Sequence, residues 1–328
     1  MASPASEFAL RGFSTSALPA GDRMPFWRDL FAGEIVNCDV DVSSEGPLCA
    51  EAELLVWPTV SMLWSRETPM RYSRSRRQAA DGDDSLILIV RRSGNSGISQ
   101  RGSDVPLRSG EGIGFLSAEP AIATVSDVES LNVVVPRAAL VPFVGDVASK
   151  TMRLVSSDCE ALRLLTGYIG LLRAGAASIT PELRHLASSH IYDLVAVALG
   201  ATRDGATIAE SRGIRAARLS AVKADVLAHI GSSGLTIDAV ARRQRITPRY
   251  VHMLFKGKGV TFSEFVLGER LMRAYRMLTD PRFRFSTVSV IAYAAGFGDL
   301  SYFNRTFRRR FGAAPSEVRR GVARGTSN

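Results

Sequence analysis

Apolar and polar residues follow two different periods along this chain. From about residue 37 to residue 144, apolar runs of four to eight residues alternate with turns of Gly, Pro, Ser and Asp. The clearest runs cover residues 52–57, 60–64, 85–90, 112–116 and 130–135. This spacing predicts an antiparallel β-barrel or β-sandwich in the first half of the chain.

The period becomes helical after Pro142. Residues 161–172 repeat their apolar positions every three or four residues. A second helix begins with Thr180 as N-cap and Pro181 at the first helical position, and Gly200 is typical of its end. We expect this helical pair either to pack against the barrel or to form dimer contacts. Residues 1–200 are therefore predicted to be one domain.

A linker is predicted over residues 201–216, because residues 201–213 are polar and contain Gly, Thr and Ser. The remainder, residues 217–324, is predicted to be entirely helical. Two stretches in it share one pattern, YVHMLFK at residues 250–256 and YFNRTFR at residues 302–308. Each ends a predicted helix-turn-helix unit, and a capping box from Thr261 to Glu264 opens a long helix between the two units.

The net charge of +9 is concentrated in this helical tail. Residues 219–328 carry 19 Lys and Arg against 7 Asp and Glu, whereas the first 218 residues carry 22 against 25. A basic helical domain favours a polyanionic partner; charge that serves only solubility is the alternative. Residues 1–16 lack the apolar core of a signal peptide, and no apolar run is long enough to span a bilayer. We expect a cytoplasmic protein without membrane contact.

Cysteine and histidine positions bear on metal and thiol chemistry. Cys38, Cys49 and Cys159 are odd in number, far apart and without zinc-site spacing, which favours reduced thiols. All four histidines lie beyond the predicted barrel, which argues against a metal-using barrel enzyme. No metal and no cofactor are expected.

Residues 290–317 read VIAYAAGFGDLSYFNRTFRRRFGAAPSE and resemble the signature of AraC/XylS-type transcription regulators, a bacterial family. The resemblance extends over residues 219–320. More weakly, residues 72–75, 81–84 and 112–116 resemble, in their order, the cupin-like sensor domain of many members. The resemblance implies an α+β protein, in which a cupin-like barrel with a helical pair is linked to an all-α domain of two helix-turn-helix units.

The same resemblance implies that both units insert a helix into successive major grooves of promoter DNA. It also implies contact with RNA polymerase, and allows a small-molecule effector and a homodimer. The base contacts that it implies are Arg249, His252 and Met253 in the first recognition helix, and Leu300, Ser301 and Arg305 in the second. The basic residues suited to phosphate contacts are Lys256, Lys258, Arg308, Arg309 and Arg310.

The chemistry of these candidates differs. Arg305 can donate two hydrogen bonds to a guanine edge, and Arg249 can do the same or hold a phosphate. His252 suits a base or phosphate, or is a solvated helix residue, and a solvated face is also the alternative for Arg308, Arg309 and Arg310. Met253 and Leu300 offer apolar contact to thymine methyls.

One position departs from the repeat. The second turn has Gly296, and the matching position of the first turn has Arg245. A left-handed Arg costs about 1–2 kcal/mol. We expect either a turn of another shape or a strained first unit.

The barrel half offers no assigned ligand residues. Trp57 and Trp64 are expected in the core, with a pocket as the alternative. A group of arginines, either solvated or facing an acidic effector, comprises Arg71, Arg74, Arg76, Arg77, Arg91 and Arg92.

Two other function classes share parts of this pattern. A DNA-repair alkyl-transfer protein carrying the same tail needs a reactive thiolate and a clustered-cysteine zinc site, which these three cysteines do not supply. A non-specific architectural DNA protein has no use for two distinct recognition helices. The sequence therefore predicts a regulator without enzyme activity, an effector-responsive activator that reads specific DNA.

Overall fold

Contacts divide the chain into an N-terminal unit, Met1–Ala217, and a C-terminal unit, Arg218–Asn328. The computed structural model describes residues 10–42, 48–209, 213–232, 234–256 and 259–325. Within these ranges, no helix is both long enough and apolar enough to cross a membrane.

The N-terminal unit is built on one antiparallel sheet, to which the described residues contribute ten strands. The strands are β1 (Arg11–Ser14), β2 (Asp39–Val42), β3 (Ala50–Val56), β4 (Ser61–Glu67), β5 (Met70–Arg74), β6 (Leu86–Gln100), β7 (Ser103–Leu107), β8 (Gly112–Leu116), β9 (Ala121–Val135) and β10 (Leu154–Val155). Its main path runs β1-β3-β4-β9-β6-β8-β10.

Strands β6 and β9 form the spine of the sheet. They pair with each other along their length, with irregularities between Arg91 and Ser93 and between Ser93 and Asn95. The first part of β6 pairs with β8 and its last part with β7. The first part of β9 pairs with β5 and its second part with β4. Bulges bend strands, so the two halves of the sheet enclose an apolar interior, as the predicted barrel requires.

Five complete α-helices belong to this unit within the described residues: α1 (Ala20–Leu30), α2 (Arg137–Val144), α3 (Glu160–Ala174), α4 (Pro181–Ala198) and α5 (Arg203–Ala209). The predicted start of α4 is confirmed, because the Thr180 side chain caps it and Pro181 occupies its first turn. The helical pair α3 and α4 packs on its own sheet. Trp57 and Trp64 are buried in that same core, as predicted.

The predicted linker is replaced in part by packed structure. Residues 203–209 form α5, and Ala209 is fully buried. The Gly and Thr residues that suggested a linker instead permit close packing. A Cβ on Gly205 would lie 2.2 Å from the Phe143 carbonyl oxygen, and the Thr202 hydroxyl donates to that oxygen. Residues 210–212 of the predicted linker lie outside the described ranges.

The group of six arginines is divided by the structure. Arg74 is buried, and its guanidinium binds the Asp81 carboxylate at 2.8 Å and the Ser117 carbonyl oxygen at 2.8 Å. Arg91 is also buried, inside the barrel. The four exposed members are Arg71, Arg76, Arg77 and Arg92. Neither a solvated strand edge nor a single effector site accounts for all six.

The C-terminal unit is helical throughout its described parts. Its helices are α6 (Arg215–Ala228, which begins in the N-terminal unit), α7 (Ile237–Arg243), α8 (Pro248–Lys256), α9 (Phe262–Thr279), α10 (Val288–Ala294), α11 (Leu300–Phe311) and α12 (Pro315–Gly325). One core packs α6 to α8 against the start of α9, and another packs the rest of α9 against α10 and α11. The predicted capping box of Thr261 and Glu264 at the start of α9 is confirmed.

Candidate nucleic-acid interface

The first helix of each helix-turn-helix unit ends in the same hydrogen-bonded loop. Helix α7 ends with the Ile246 amide donating to the Ala241 carbonyl at 2.9 Å, and α10 ends with the Phe297 amide donating to the Ala292 carbonyl at 3.0 Å. This six-residue hydrogen-bonded loop is a known way to satisfy the last carbonyls of a helix. Each loop needs one residue in the left-handed region.

That residue is Arg245 in the first unit and Gly296 in the second. Their φ angles are +56° and +95°. Of the two expectations for this turn, the strained one is therefore observed, because Arg245 takes the left-handed place that glycine takes in the second unit. A Cβ in this region approaches the following carbonyl, so the first unit carries a local conformational cost.

The recognition helices begin at different distances from these turns. Residues 244–247 separate α7 from α8, and residues 295–299 separate α10 from α11, so the second turn is one residue longer. Thr247 caps α8 by accepting from the Tyr250 amide at 3.2 Å, and Asp299 caps α11 by accepting from the Tyr302 amide at 2.6 Å. Residues of the two recognition helices therefore correspond when the helices are aligned on their N-caps, Thr247 and Asp299. They do not correspond when the helices are aligned on the turns.

In this alignment the buried positions of α8 correspond to the buried positions of α11. Val251 and Phe255 in α8 correspond to Phe303 and Phe307 in α11, and all four are at most 1% exposed. Val251 and Phe255 belong to the core of the first unit, and Phe303 and Phe307 belong to the core of the second. The side chains on the opposite side of each helix must then point to solvent.

The opposite faces are exposed and correspond position by position. In α8 this face carries Arg249, His252, Met253 and Lys256, and in α11 it carries Ser301, Asn304, Arg305 and Arg308. Five of the six predicted base-contacting residues therefore lie on two equivalent exposed faces. Their exposure and spacing are those of residues that a groove can reach.

Leu300 is the predicted base contact that does not lie on this face. It is the first residue of α11, half-buried, and it packs against the core of the second unit. It precedes Phe303 by three residues and Phe307 by seven, which is the spacing of one helical face. Asn304 occupies the exposed place instead. The sequence held the signal for Asn304, because the shared pattern of residues 250–256 and 302–308 already pairs it with His252, but the prediction did not use it.

The basic candidates cluster at the ends of the recognition helices. Lys256 is the exposed last residue of α8, and Arg308, Arg309 and Arg310 are exposed in the last turn of α11. Lys258 lies outside the described residues. Cations near a helix C-terminus also interact favourably with the helix dipole, typically by about 0.3–1 kcal/mol. Location alone therefore allows both a phosphate-binding and a helix-stabilising role.

An open cleft runs beside the second recognition helix. It has a volume of about 650 Å³ and lies between the exposed face of α11 and the start of α12. Ser301, Asn304, Arg305 and Arg308 line one side, and Pro315 and Ser316 belong to the other. The exposed face of α11 is thus a wall of a polar groove rather than a flat surface.

Comparisons with known proteins identify this arrangement. Residues 240–321 match the family described as a helix-turn-helix domain. The transcriptional activator RhrA of Rhizobium meliloti (strain 1021) is 38% identical over 173 residues, which are 52% of this chain and 53% of RhrA. The transcriptional activator RhaS of Escherichia coli O139:H28 is 35% identical over 85 residues, 26% of this chain and 30% of RhaS. The chain thus spans about half of the first relative and less than a third of the second.

One solved structure resembles most of the chain. The AraC-like transcriptional activator CuxR aligns with a TM-score of 0.51 and 17% identity, covering 88% of this chain and 100% of that one. At this identity the likeness concerns the fold alone. It confirms the predicted fold class, a cupin-like sheet domain followed by a helical domain.

Proposed function

We propose that this chain, whose C-terminal unit is a helix-turn-helix domain of the AraC type, is a sequence-specific transcription regulator that activates promoters by reading two adjacent major grooves. The observation that carries this proposal is the pair of equivalent, exposed faces on α8 and α11, each backed by a buried aromatic core. Such a regulator needs no catalytic residue. It acts in the cytoplasm on promoter DNA, together with RNA polymerase.

The two faces offer different chemistry to the bases. Met253 and Arg305 occupy the same place on their helices, directly opposite the core. A methionine offers apolar contact, which suits a thymine methyl, whereas an arginine can bond both acceptors of a guanine. Asn304 can pair with adenine, and its counterpart His252 has one donor and one acceptor when neutral. Two unlike half-sites are the expected target.

Basic residues would position the protein on the backbone. Lys256 and Arg308 stand at corresponding places at the ends of the two recognition helices. Contacts with phosphates fix register and orientation but carry no sequence information. We therefore assign base reading to the helix faces, and phosphate contact to Lys256, Lys258, Arg308 and Arg309.

An effector site in the barrel is the second part of this proposal. The two halves of the sheet enclose a cavity of about 90 Å³ with a mostly apolar lining. Arg91 lines it and is 1% exposed, and its Nη1 atom has no hydrogen-bond partner among the described residues. Leaving a buried charged donor unpaired is costly. A small organic carboxylate would satisfy Arg91 and place its apolar part against Ile87, Ile89 and Phe115.

Polar groups near this cavity are consistent with an anionic ligand. The Trp27 indole N–H donates to the Tyr72 hydroxyl at 3.0 Å, and that hydroxyl donates to the Glu67 carboxyl. Burial raises the pKa of Glu67, which favours its neutral form and reduces repulsion of a carboxylate. Thermal unfolding of the full chain with short-chain carboxylic acids tests this site, with the matching primary amides as controls. Stabilisation by the acids that Arg91→Met abolishes would support it; equal response to acids and amides would contradict it.

A homodimer is also proposed. Leu171 on α3 and Leu183 and Leu186 on α4 are 43%, 52% and 48% exposed. Apolar side chains that remain exposed on a packed helical pair suit contact with a second copy. Sedimentation velocity of the full chain tests the association, and Leu183→Glu with Leu186→Glu should produce a monomer. A wild-type monomer at all accessible concentrations would refute it.

The alkyl-transfer alternative requires a reactive thiolate, and the buried Cys38 does not supply one. Burial raises the pKa of the Cys38 thiol to about 12, so the thiolate that such chemistry requires is disfavoured at neutral pH. Across the described ranges, His, Cys, Asp and Glu side chains form no group of three that could hold a metal ion.

The decisive experiment is selection of genomic DNA fragments by the purified full-length protein at about 150 mM salt, where non-specific binding is weak. A few enriched sites with two unlike half-sites about one helical turn apart are expected. A variant with Arg249→Ala and Arg305→Ala should lose this enrichment, whereas Arg276→Ala, exposed on α9, should retain it. Uniform enrichment by the wild-type protein would favour the architectural alternative instead.

A further inference from the structure

Arg270 joins three elements of the C-terminal unit at one point. It lies on α9, the helix that connects the two helix-turn-helix units. Its Nε donates to the Ile230 carbonyl at 3.1 Å, and its Nη2 donates to the Ser232 carbonyl at 2.9 Å. Both carbonyls follow the end of α6, in the first helix-turn-helix unit. The guanidinium thus satisfies two carbonyls just after a helix C-terminus, where a positive charge is favoured.

The turn of the second unit meets the same point. A Cβ on Gly296 would lie 2.4 Å from the Ile230 carbonyl oxygen and 2.7 Å from Arg270 Nε. A Cβ on Gly231 would lie 2.9 Å from the Ala294 carbonyl oxygen. Real side chains do not tolerate such distances, so the two backbones touch because glycine stands on both sides. We call Arg270, Ile230, Gly231, Ser232 and Gly296 the hub.

The hub gives the two helix-turn-helix units of the C-terminal unit a second connection. The first connection is helix α9, which continues from one helix-turn-helix unit into the other. Contact between the end of α6 and the turn after α10 is a second point of attachment, and two points of attachment restrict rotation more than one. Arg270 is half-buried and burial lowers the pKa of its guanidinium, yet two carbonyls compensate its lost hydration.

We propose that Arg270 is a positioning residue that sets the spacing at which α8 and α11 read their half-sites. This inference rests on the proposed function, because spacing has meaning only if both helices read DNA. Arg270 acts here through α6 and the second turn and needs no contact with a base. Removing its two hydrogen bonds should leave each half-site preference intact and relax the distance between them.

The test measures binding to a selected bipartite duplex and to versions whose central spacer is one base pair shorter or longer. For the wild-type protein we expect at least about a tenfold loss of affinity on either change, since one base pair alters both the separation and the rotation of the half-sites. Arg270→Met, which keeps the aliphatic length and removes the donors, should lose no more than about threefold. Arg276→Met, exposed on the same helix, should retain the wild-type spacing preference.

Each outcome separates this inference from simpler ones. A uniform loss of affinity at every spacing would show that Arg270 contacts phosphate, and would overturn the positioning role. A wild-type-like tenfold loss in a folded Arg270→Met protein would also overturn it. If Arg270→Met does not fold, Arg270→Lys, which keeps one donor, should give an intermediate tolerance, and an unchanged preference in that variant would overturn the inference. If the wild-type protein selects no bipartite site, the proposed function itself fails.

Discussion

Replacing Arg245 by glycine should stabilise the C-terminal unit. Arg245 holds a φ of +56° in a turn whose counterpart in the second unit is glycine. A non-glycine residue in this region costs about 1–2 kcal/mol, and glycine itself costs about 0.5–1 kcal/mol through the greater freedom of the unfolded chain. The difference predicts a gain of about 0.5–1 kcal/mol. For a unit of this size, that corresponds to an increase in Tm of roughly 2–6 °C.

The position of the tryptophans makes the assay specific. All three, Trp27, Trp57 and Trp64, lie in the N-terminal unit, whereas the C-terminal unit is helical. Circular dichroism at helical wavelengths follows both units, because the N-terminal unit also contains helices, whereas tryptophan fluorescence follows the N-terminal unit alone. The dichroism transition that has no counterpart in fluorescence therefore belongs to the C-terminal unit and should shift to higher Tm, while the fluorescence transition should be unchanged. Measurements are made without DNA, so a role of Arg245 in binding does not enter the comparison.

Two variants control for the side chain. Arg245→Ala removes the guanidinium but keeps the left-handed backbone strain, and it should leave Tm near the wild-type value. Gly296→Ala introduces both that strain and a clash with the Ile230 carbonyl oxygen, and should lose at least about 1–3 kcal/mol. If Arg245→Ala stabilised the unit as much as Arg245→Gly, side-chain charge rather than backbone geometry would be the cause, and the reasoning would be refuted.

Four further predictions concern the recognition helices and the barrel. Arg305→Ala should lose about 1–3 kcal/mol of discrimination at one base pair, and an unchanged preference in a binding-site selection would contradict its role. Asn304→Ala should likewise change base preference, whereas Leu300→Ala should lower Tm and leave base preference unchanged. The reverse pattern would favour Leu300, rather than Asn304, as the base contact. Lys256→Ala should weaken all sequences alike and reduce the salt slope by about one, which a sequence-selective loss would disprove. Burial raises the pKa of Glu67, so its contribution to stability is full below the ordinary value of 4.5 and is lost as pH rises through the raised folded value. Glu67→Gln should therefore gain Tm relative to wild type as pH increases above about 4.5, and a difference independent of pH would count against this.

The helical unit was predictable because its signals are local. Side-chain caps such as Thr236 and Asp299 accept from amides three residues ahead, and they appear in the sequence directly before the helices they begin. Buried residues such as Val251 and Phe255 recur at helical spacing. The starts of these capped helices therefore follow from neighbouring residues, whereas α6 begins at Arg215, inside the predicted linker.

The second half of β6 could not be predicted in this way. Residues 91–100 read RRSGNSGISQ, with few apolar positions and two glycines. This segment is a strand because β7 and β9 pair with it on both sides and satisfy its backbone groups. Such pairing depends on residues far away in the sequence. The same holds for α5, whose Gly205 looks like linker composition until it packs against the Phe143 carbonyl.

The two units repeat their backbone but not their recognition chemistry. Both end their first helix in the same hydrogen-bonded loop, and both bury the corresponding pair of residues in their recognition helix. Yet the place opposite the core carries Met253 in one helix and Arg305 in the other. If Met253 and Arg305 read bases as proposed, their apolar and guanine-directed contacts favour different base pairs. The half-sites should then differ, and a reversed orientation on DNA would present each helix with the wrong one. The hub around Arg270 would then hold both helices in the one arrangement that satisfies them together, so that the direction in which the protein faces along a promoter follows from its sequence.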